Sequence, residues 1–231
     1  MKNKIYKILS IVLYVLSFLI LLFCVNNGLN SNIYLNLNGR LILLSIVCIF
    51  IYISGFILVK KLNSDKKILK INLVVYTFIY IFTICTLTLF DELYGRNGLI
   101  IIDWDKELLD SYMNISFNLV PFKTIKLFIN GYMNGVVTLK DFTTNIFGNL
   151  CAFMPFAIFL PLLFKSMNKY WKFLITMILI VVIIELLQFV TLSGACDIDD
   201  LILNVLGASI VYFITRIKCI NGLVKRFFFL E

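Results

Sequence analysis

The sequence predicts an all-α integral membrane bundle of about six transmembrane helices with an external amphipathic segment. Three observations predict it. Of 231 residues, 61% are hydrophobic and 15% charged, with a mean hydropathy of +0.98, which leaves a water-soluble fold too few polar groups to cover its surface. The apolar residues come in runs long enough to cross about 30 Å of hydrocarbon at about 1.5 Å of helix per residue. Between the runs, basic connections alternate with acid-rich ones, as cytoplasmic and external loops do.

The first run, Ile8 to Val25, follows Lys2, Lys4 and Lys7, which put the N-terminus on the cytoplasmic side. No small-x-small cleavage site follows it and the bulky Phe23 precedes Cys24, so it reads as an uncleaved helix. Leu41 to Val59 is the second span. The next loop holds Lys60, Lys61, Lys66, Lys67 and Lys70 against Asp65 and reads as cytoplasmic. Ile71 to Phe90 is the third span. The connection from Asp91 to Asp141 carries five basic and seven acidic residues and reads as external; it is too long for a simple loop. Within it Phe122, Ile125 and Ile129 fall on one side and Lys123, Lys126 and Asn130 on the other, which predicts a short helix lying in the outer interface, packed on the bundle or binding headgroups. Phe142 to Phe164 is the fourth span, and Lys165, Lys169 and Lys172 after it read as cytoplasmic. Phe173 to Leu192, the fifth, carries only Glu185, and the external loop beyond it holds Asp197, Asp199 and Asp200. Leu201 to Thr215 is a short sixth span, extendable if Arg216 and Lys218 snorkel towards the headgroups. Arg216, Lys218, Lys225 and Arg226 put the C-terminus inside with the N-terminus. The expected organisation is a two-helix anchor with a cytoplasmic loop over residues 1–70 and a second membrane domain over residues 71–231. The net charge of +8 follows from this sidedness and from attraction to anionic lipid, with no case for nucleic acid.

The chain has no histidine and no CxxC pair, which removes the usual zinc sites, Ser-His-Asp triads and Cys-His dyads. The sequence implies no cofactor and no metal, and any chemistry falls to carboxylates, amides and hydroxyls. Helices one to three are almost purely apolar and read as packing and anchoring. The polar residues within later spans cost a few kcal/mol each and call for an explanation. The fourth span has Asn145 and Asn149 near its start, the fifth Glu185 and Gln188 near its end, and the sixth Asp200 and Asn204 at its start. On each helix the pair is three or four residues apart and so shares a face. By helical rise, Glu185 and Asn149 lie about 10 Å, and Gln188, Asn145 and Asn204 about 5 Å, below their helix ends. One polar pocket opening outward satisfies all of these positions.

Asp141-x-x-x-Asn145-x-x-Gly148 in the fourth span also matches Asp200-x-x-x-Asn204-x-x-Gly207 in the sixth. Each match places an acid in a first helical turn, then an amide, then a glycine that permits close helix approach. Shared packing geometry or a same-sense repeat would account for it. Pro155 and Pro161 are expected to bend or break the fourth helix beyond its amides.

Four successive segments carry a further likeness: Asn118-Leu119-Val120-Pro121-Phe122; Asn145-Ile146-Phe147-Gly148-Asn149 with Phe153-Met154-Pro155-Phe156 and Leu160-Pro161; Glu185-Leu186-Leu187-Gln188; and Asp197-Ile198-Asp199-Asp200 running to Asn204 and Gly207. In order and spacing they resemble the VanZ-like family. The resemblance covers roughly the last 130 to 145 residues, starting near Leu87 to Phe90 and Arg96, with the first two helices outside it. The family's arginine ahead of its Asp-x-Asp-Asp run is missing, since Ser193-Gly194-Ala195-Cys196 stands there; its role would be vacant or pass to Arg96 or Lys126. The resemblance implies a multi-pass protein of a Gram-positive-type cell membrane with a part in tolerance of teicoplanin-type glycopeptide or lipoglycopeptide antibiotics. The leading expectation is a protein that binds a membrane lipid, a lipid-linked envelope precursor or the drug at the outward pocket. Glu185 is then the central acceptor, Asp197, Asp199 and Asp200 an acidic rim, and Asn145, Asn149, Gln188 and Asn204 orienting amides. An enzyme would instead use Glu185 with Asp200 as acid and base or as ligands of a divalent cation. A proton-coupled transporter would use the intramembrane acid, although no inverted repeat accompanies it.

Overall fold

The computed structural model describes residues 2–29, 37–89, 105–192 and 194–229. Five helical stretches are long and apolar enough to cross a membrane: Lys2–Asn27, Asn38–Lys61, Lys67–Leu89, Leu139–Leu163 and Tyr170–Thr191. Ile198–Ile214 and Lys218–Phe227 count as a sixth only if taken as one span, and they meet at a bend of 96°. The only strands among the described residues are two of two residues each, so the all-α membrane bundle is the observed fold. Many large apolar side chains, such as Phe18, Ile42, Phe78, Ile183 and Phe213, point out of the protein, as lipid-facing residues do.

The chain divides into two compact units, residues 1–83 with 222–231, and residues 84–221. In the first, α1 (Lys2–Leu29) and α2 (Leu37–Phe56, prolonged by a π-helical turn over Ile57–Lys61) pack on α3 (Lys67–Leu89). Their core is Cys24, Leu44, Val47, Ile51 and Ile79. Lipid tails are as apolar as this core, so packing and interhelical hydrogen bonds supply the association. Ser10 and Ser54 share a hydrogen bond of 2.7 Å between α1 and α2. The Tyr14 hydroxyl donates to Asn72 at 2.9 Å, and the Asn72 amide reaches the Ile51 carbonyl at 3.4 Å. Apolar composition hides this polar seam of Ser10, Tyr14, Ser54 and Asn72, which sequence reasoning passed over as pure packing. The chain end returns to the same unit, where Phe227 and Phe229 lie 5.1 and 5.2 Å from the Tyr52 ring.

The second unit takes in the end of α3 from Ile84 on and a helix the sequence reading did not predict, α4 (Lys106–Ile115), begun by Asp105, whose side chain accepts the Leu108 N–H at 2.7 Å. β1 (Phe117–Asn118) follows, and then α5 (Lys123–Met133), the expected amphipathic helix. The fourth span is broken into α6 (Leu139–Thr143), a π-helical turn over Thr144–Gly148, α7 (Asn149–Ala152) and α8 (Phe156–Leu163). Pro155 accounts for one break. It cannot donate to a helical ladder, so i to i+3 bonds from Met154 to Cys151 and from Phe156 to Phe153 carry the chain round it. Pro161, expected to do the same, sits inside α8 without ending it. α9 (Tyr170–Thr191) leads through β2 (Cys196–Asp197) into α10 (Ile198–Ile214) and then α11 (Lys218–Phe227). β1 and β2 pair in parallel, Phe117 with Cys196 and Asn118 with Asp197.

Candidate functional site

The buried residues of α9 run Phe173, Met177, Val181, Glu185, Gln188 and Thr191. That spacing is one helical stripe, so the carboxylate and the amide belong to the packed seam and are kept from lipid. Glu185 is 8% exposed and its Oε2 accepts the Asp197 N–H at 3.1 Å. Gln188 donates to the Thr88 carbonyl at 3.0 Å. The returning chain passes over Gln188 at Gly194, where an added Cβ would come within 2.9 Å of the amide nitrogen. The Tyr112 hydroxyl of α4 holds the Gly194 carbonyl at 2.9 Å, and its ring meets Phe189 edge-on at 5.5 Å.

Two of the aspartates expected at a solvent-facing rim are buried, Asp197 at 6% and Asp199 at 0% exposure. Asp197 caps α10: its Oδ1 accepts the Asp199 N–H at 2.8 Å and also the Asn118 amide at 2.9 Å. Asn118 in turn reaches the Thr124 hydroxyl at 3.1 Å and accepts the Val120 N–H at 3.0 Å. Asp199 caps a different helix. Its Oδ1 accepts the N–H of Phe122 and its Oδ2 that of Ile125 at 3.0 Å. These are the N-cap and N3 donors of α5, so one carboxylate from α10 satisfies both ends of a capping box that the local sequence lacks. The local backbone makes this geometry. Pro121 and Phe122 form the middle of a turn closed by Lys123 N–H on the Val120 carbonyl at 3.3 Å. Phe122 has φ of 65° and ψ of 6°, a left-handed conformation that such turns ordinarily give to glycine or asparagine. Two orphan donors and a helix N-terminus balance a fully buried anion.

Asp200 faces the fourth span. Its Oδ1 accepts the Asn149 amide, and its own carbonyl accepts the Asn204 amide at 2.7 Å. Asn204 is 4% exposed, and its Oδ1 is buried with no donor among the described residues. The crossing that brings these groups together depends on Gly207. A Cβ there would lie 1.7 Å from the Leu150 carbonyl oxygen, so α7 and α10 meet backbone to backbone.

The two Asp-Asn-Gly matches share one half of their geometry. Asn145 donates to the Asp141 carbonyl at 2.9 Å as Asn204 does to that of Asp200, an i to i−4 back-bond that explains the common spacing. The glycines differ: Gly148 has only Thr144 near it, at 4.0 Å. The described contacts therefore join Glu185, Asp197, Asp199, Asp200, Asn149 and Asn204 in one neighbourhood. The Asn145 amide is engaged with its own helix, and that of Gln188 with Thr88. Sequence reasoning missed Asn118, Tyr112 and Gly194 as parts of the frame. Lys126 is exposed on α5, while Arg96 lies outside the described residues.

Burial raises the Tyr112 phenol to about 12, with Cys196 and Glu185 adding to the shift, so the hydroxyl stays a donor to Gly194 at any ordinary pH. Burial likewise raises the Cys196 thiol, reinforced by the charges of Glu185, Asp197 and Asp200. Among the described residues no three His, Cys, Asp or Glu side chains gather as metal ligands would. The arrangement leaves the Asn204 Oδ1 able to accept a hydrogen bond.

No curated protein and no solved structure matches the chain. A family model, VanZ/LLP1, matches residues 41–219. The match starts at Leu41 and so takes in the second and third helices, well ahead of the segment that the four motifs mark. It covers all of α4 to α10 and every residue of the neighbourhood just described. The chain is a multi-pass membrane protein that belongs to the VanZ/LLP1 family.

Proposed function

We propose that this protein binds an envelope component, either a lipid-linked precursor or the lipid-exposed part of a teicoplanin-type drug, at a polar pocket between α7, α9 and α10. By this binding it confers tolerance of glycopeptide or lipoglycopeptide antibiotics. The observation that carries the reading is the side-chain oxygen Oδ1 of Asn204, buried beside Asp200 with no donor among the described residues. Buried acceptors are satisfied in nearly all proteins, and a bound group that offers an N–H or O–H would satisfy this one. Intramembrane acids and amides gathered on facing helices are the residues that function retains against their insertion cost. The loop charges support a cell-membrane protein with both termini inside and this pocket in the outer half of the bilayer. The prevalence of amides over proton-transferring groups favours binding over chemistry.

The experiment is Glu185→Gln, scored for drug tolerance and for the amount of protein in the membrane. The amide keeps the shape and an acceptor for the Asp197 N–H while removing the negative charge. Binding through Glu185 predicts that tolerance is lost at near-normal abundance. Disappearance of the protein from the membrane would mean that Glu185 serves structure instead.

A further inference from the structure

Arg216 follows the last turn of α10, at the opposite end of that helix from Asp200. Its guanidinium carbon lies 4.3 Å from the centre of the Tyr212 ring, and that ring is fixed. Tyr212 is 2% exposed, donates its hydroxyl to the Asn168 carbonyl at 2.7 Å and stacks on Phe173 at 4.6 Å. Nε and Nη2 of Arg216 are both buried and neither has an acceptor among the described residues. These two nitrogens form one edge of the guanidinium, the edge that gives two parallel N–H bonds to a pair of oxygens on one phosphate or carboxylate. A buried N–H that has lost water without gaining an acceptor is destabilising, and here both belong to a permanent cation.

The chain offers no carboxylate in the adjoining sequence. No Asp or Glu occurs from Leu201 to Leu230, nor from Phe142 to Ile184, the stretch that supplies Asn168 and Phe173. The charges in those segments are all positive, with Lys165 and Lys169 on either side of Asn168 and Lys218 two residues beyond Arg216. α10 has 17 residues, about 25 Å of helix, so Arg216 stands where a span reaches the headgroups. We propose that the Nε and Nη2 edge of Arg216, backed by Tyr212, is a seat for a phosphate group. The seat is independent of the pocket at the other end of α10. Its phosphate belongs to an inner-leaflet phospholipid or to a soluble phosphate compound.

The test uses the full chain in detergent, with phosphatidylglycerol, phosphate-free diacylglycerol and inorganic phosphate as probes, read by native mass spectrometry and by the melting temperature. Phosphatidylglycerol should be retained and raise the melting temperature, and diacylglycerol should do neither. Arg216→Lys keeps the charge but loses the planar fork, and should weaken phosphatidylglycerol binding about tenfold or more. Lys218→Gln should leave it within about threefold, as a rim charge does. Displacement of the lipid by inorganic phosphate would assign the seat to a soluble phosphate, and resistance to displacement would assign it to the lipid. Equal binding by wild type and Arg216→Lys would overturn the proposal, as would equal binding of phosphatidylglycerol and diacylglycerol. If Arg216→Lys fails to fold, the comparison of the two lipids on the wild type decides.

Discussion

Replacing Asp199 by asparagine tests whether this aspartate serves the start of α5 or the ligand of the proposed function. The Asp199 carboxylate accepts one N–H on each oxygen, from Phe122 and from Ile125, and it is fully buried. An amide offers one oxygen, so one of the two backbone donors would face an NH2 group. The lost charge-assisted bond is worth about 1.5–3 kcal/mol and the lost anion at a helix N-terminus about 0.3–2 kcal/mol. Relief from burying a charge opposes both, which leaves a net loss of about 3 kcal/mol, or roughly a hundredfold more frequent opening of the first turn of α5. Hydrogen exchange at the Phe122 and Ile125 amides reads this directly. Both should exchange about a hundredfold faster in Asp199→Asn and at the wild-type rate in Asp200→Asn, whose side chain bonds Asn149 instead. Unchanged exchange in Asp199→Asn, with tolerance lost, would refute the capping role and return Asp199 to the ligand.

Two further outcomes follow from the same geometry. Gly207→Ala should lower the melting temperature and the membrane abundance sharply. The atom opposing the new methyl is the Leu150 backbone oxygen at 1.7 Å, where ordinary contact needs about 3.5 Å; Gly148→Ala, with open space, should be tolerated, and equal stability of the two variants would contradict the crossing. Cys196 should react slowly with a maleimide at pH 7 because its thiol is raised by burial and then by Glu185, Asp197 and Asp200. The rate should climb about tenfold per pH unit through neutral and mildly alkaline pH, and Glu185→Gln should speed it by removing one of the charges. A Cys196 rate equal to that of the exposed Cys219 at pH 7 would contradict this.

The spans were legible because lipid offers the backbone no partners, so each crossing must be an apolar helix. The break at Pro155 was legible for the converse reason, a missing donor. The π-helical turn over Thr144–Gly148 was not, since weak helix formers such as Thr144, Asn145 and Gly148 lower helical propensity without specifying a π-helical turn. α4 was missed although Asp105 is a good N-cap and Leu108, Leu109 and Tyr112 share a face, because its ten residues, with Lys106, Glu107 and Asp110, are too polar on average to stand out beside the apolar spans. Glu185, Asp200, Asn149 and Asn204 stood out by their cost in a span. The task of Asp199 did not, because its partners are backbone N–H groups 77 and 74 residues away, and a backbone donor leaves no mark in the sequence. Proximity to a visible acidic run made Asp197 and Asp199 look like a rim, whereas each completes a helix start. Arg216 was read as a snorkelling end-residue; only the structure reveals that one edge of it is buried.

The central claim, that the pocket binds an envelope component without altering it, is tested most directly by mass spectrometry of the lipid extract that co-purifies with the protein. Wild type and Glu185→Gln would be isolated in equal amounts from the same cells. The account predicts one envelope component enriched on the wild type, at the mass it has in cells lacking the protein, and depleted on Glu185→Gln. The same component carrying a changed mass in cells that make the wild type, or equal recovery from both proteins, would contradict it.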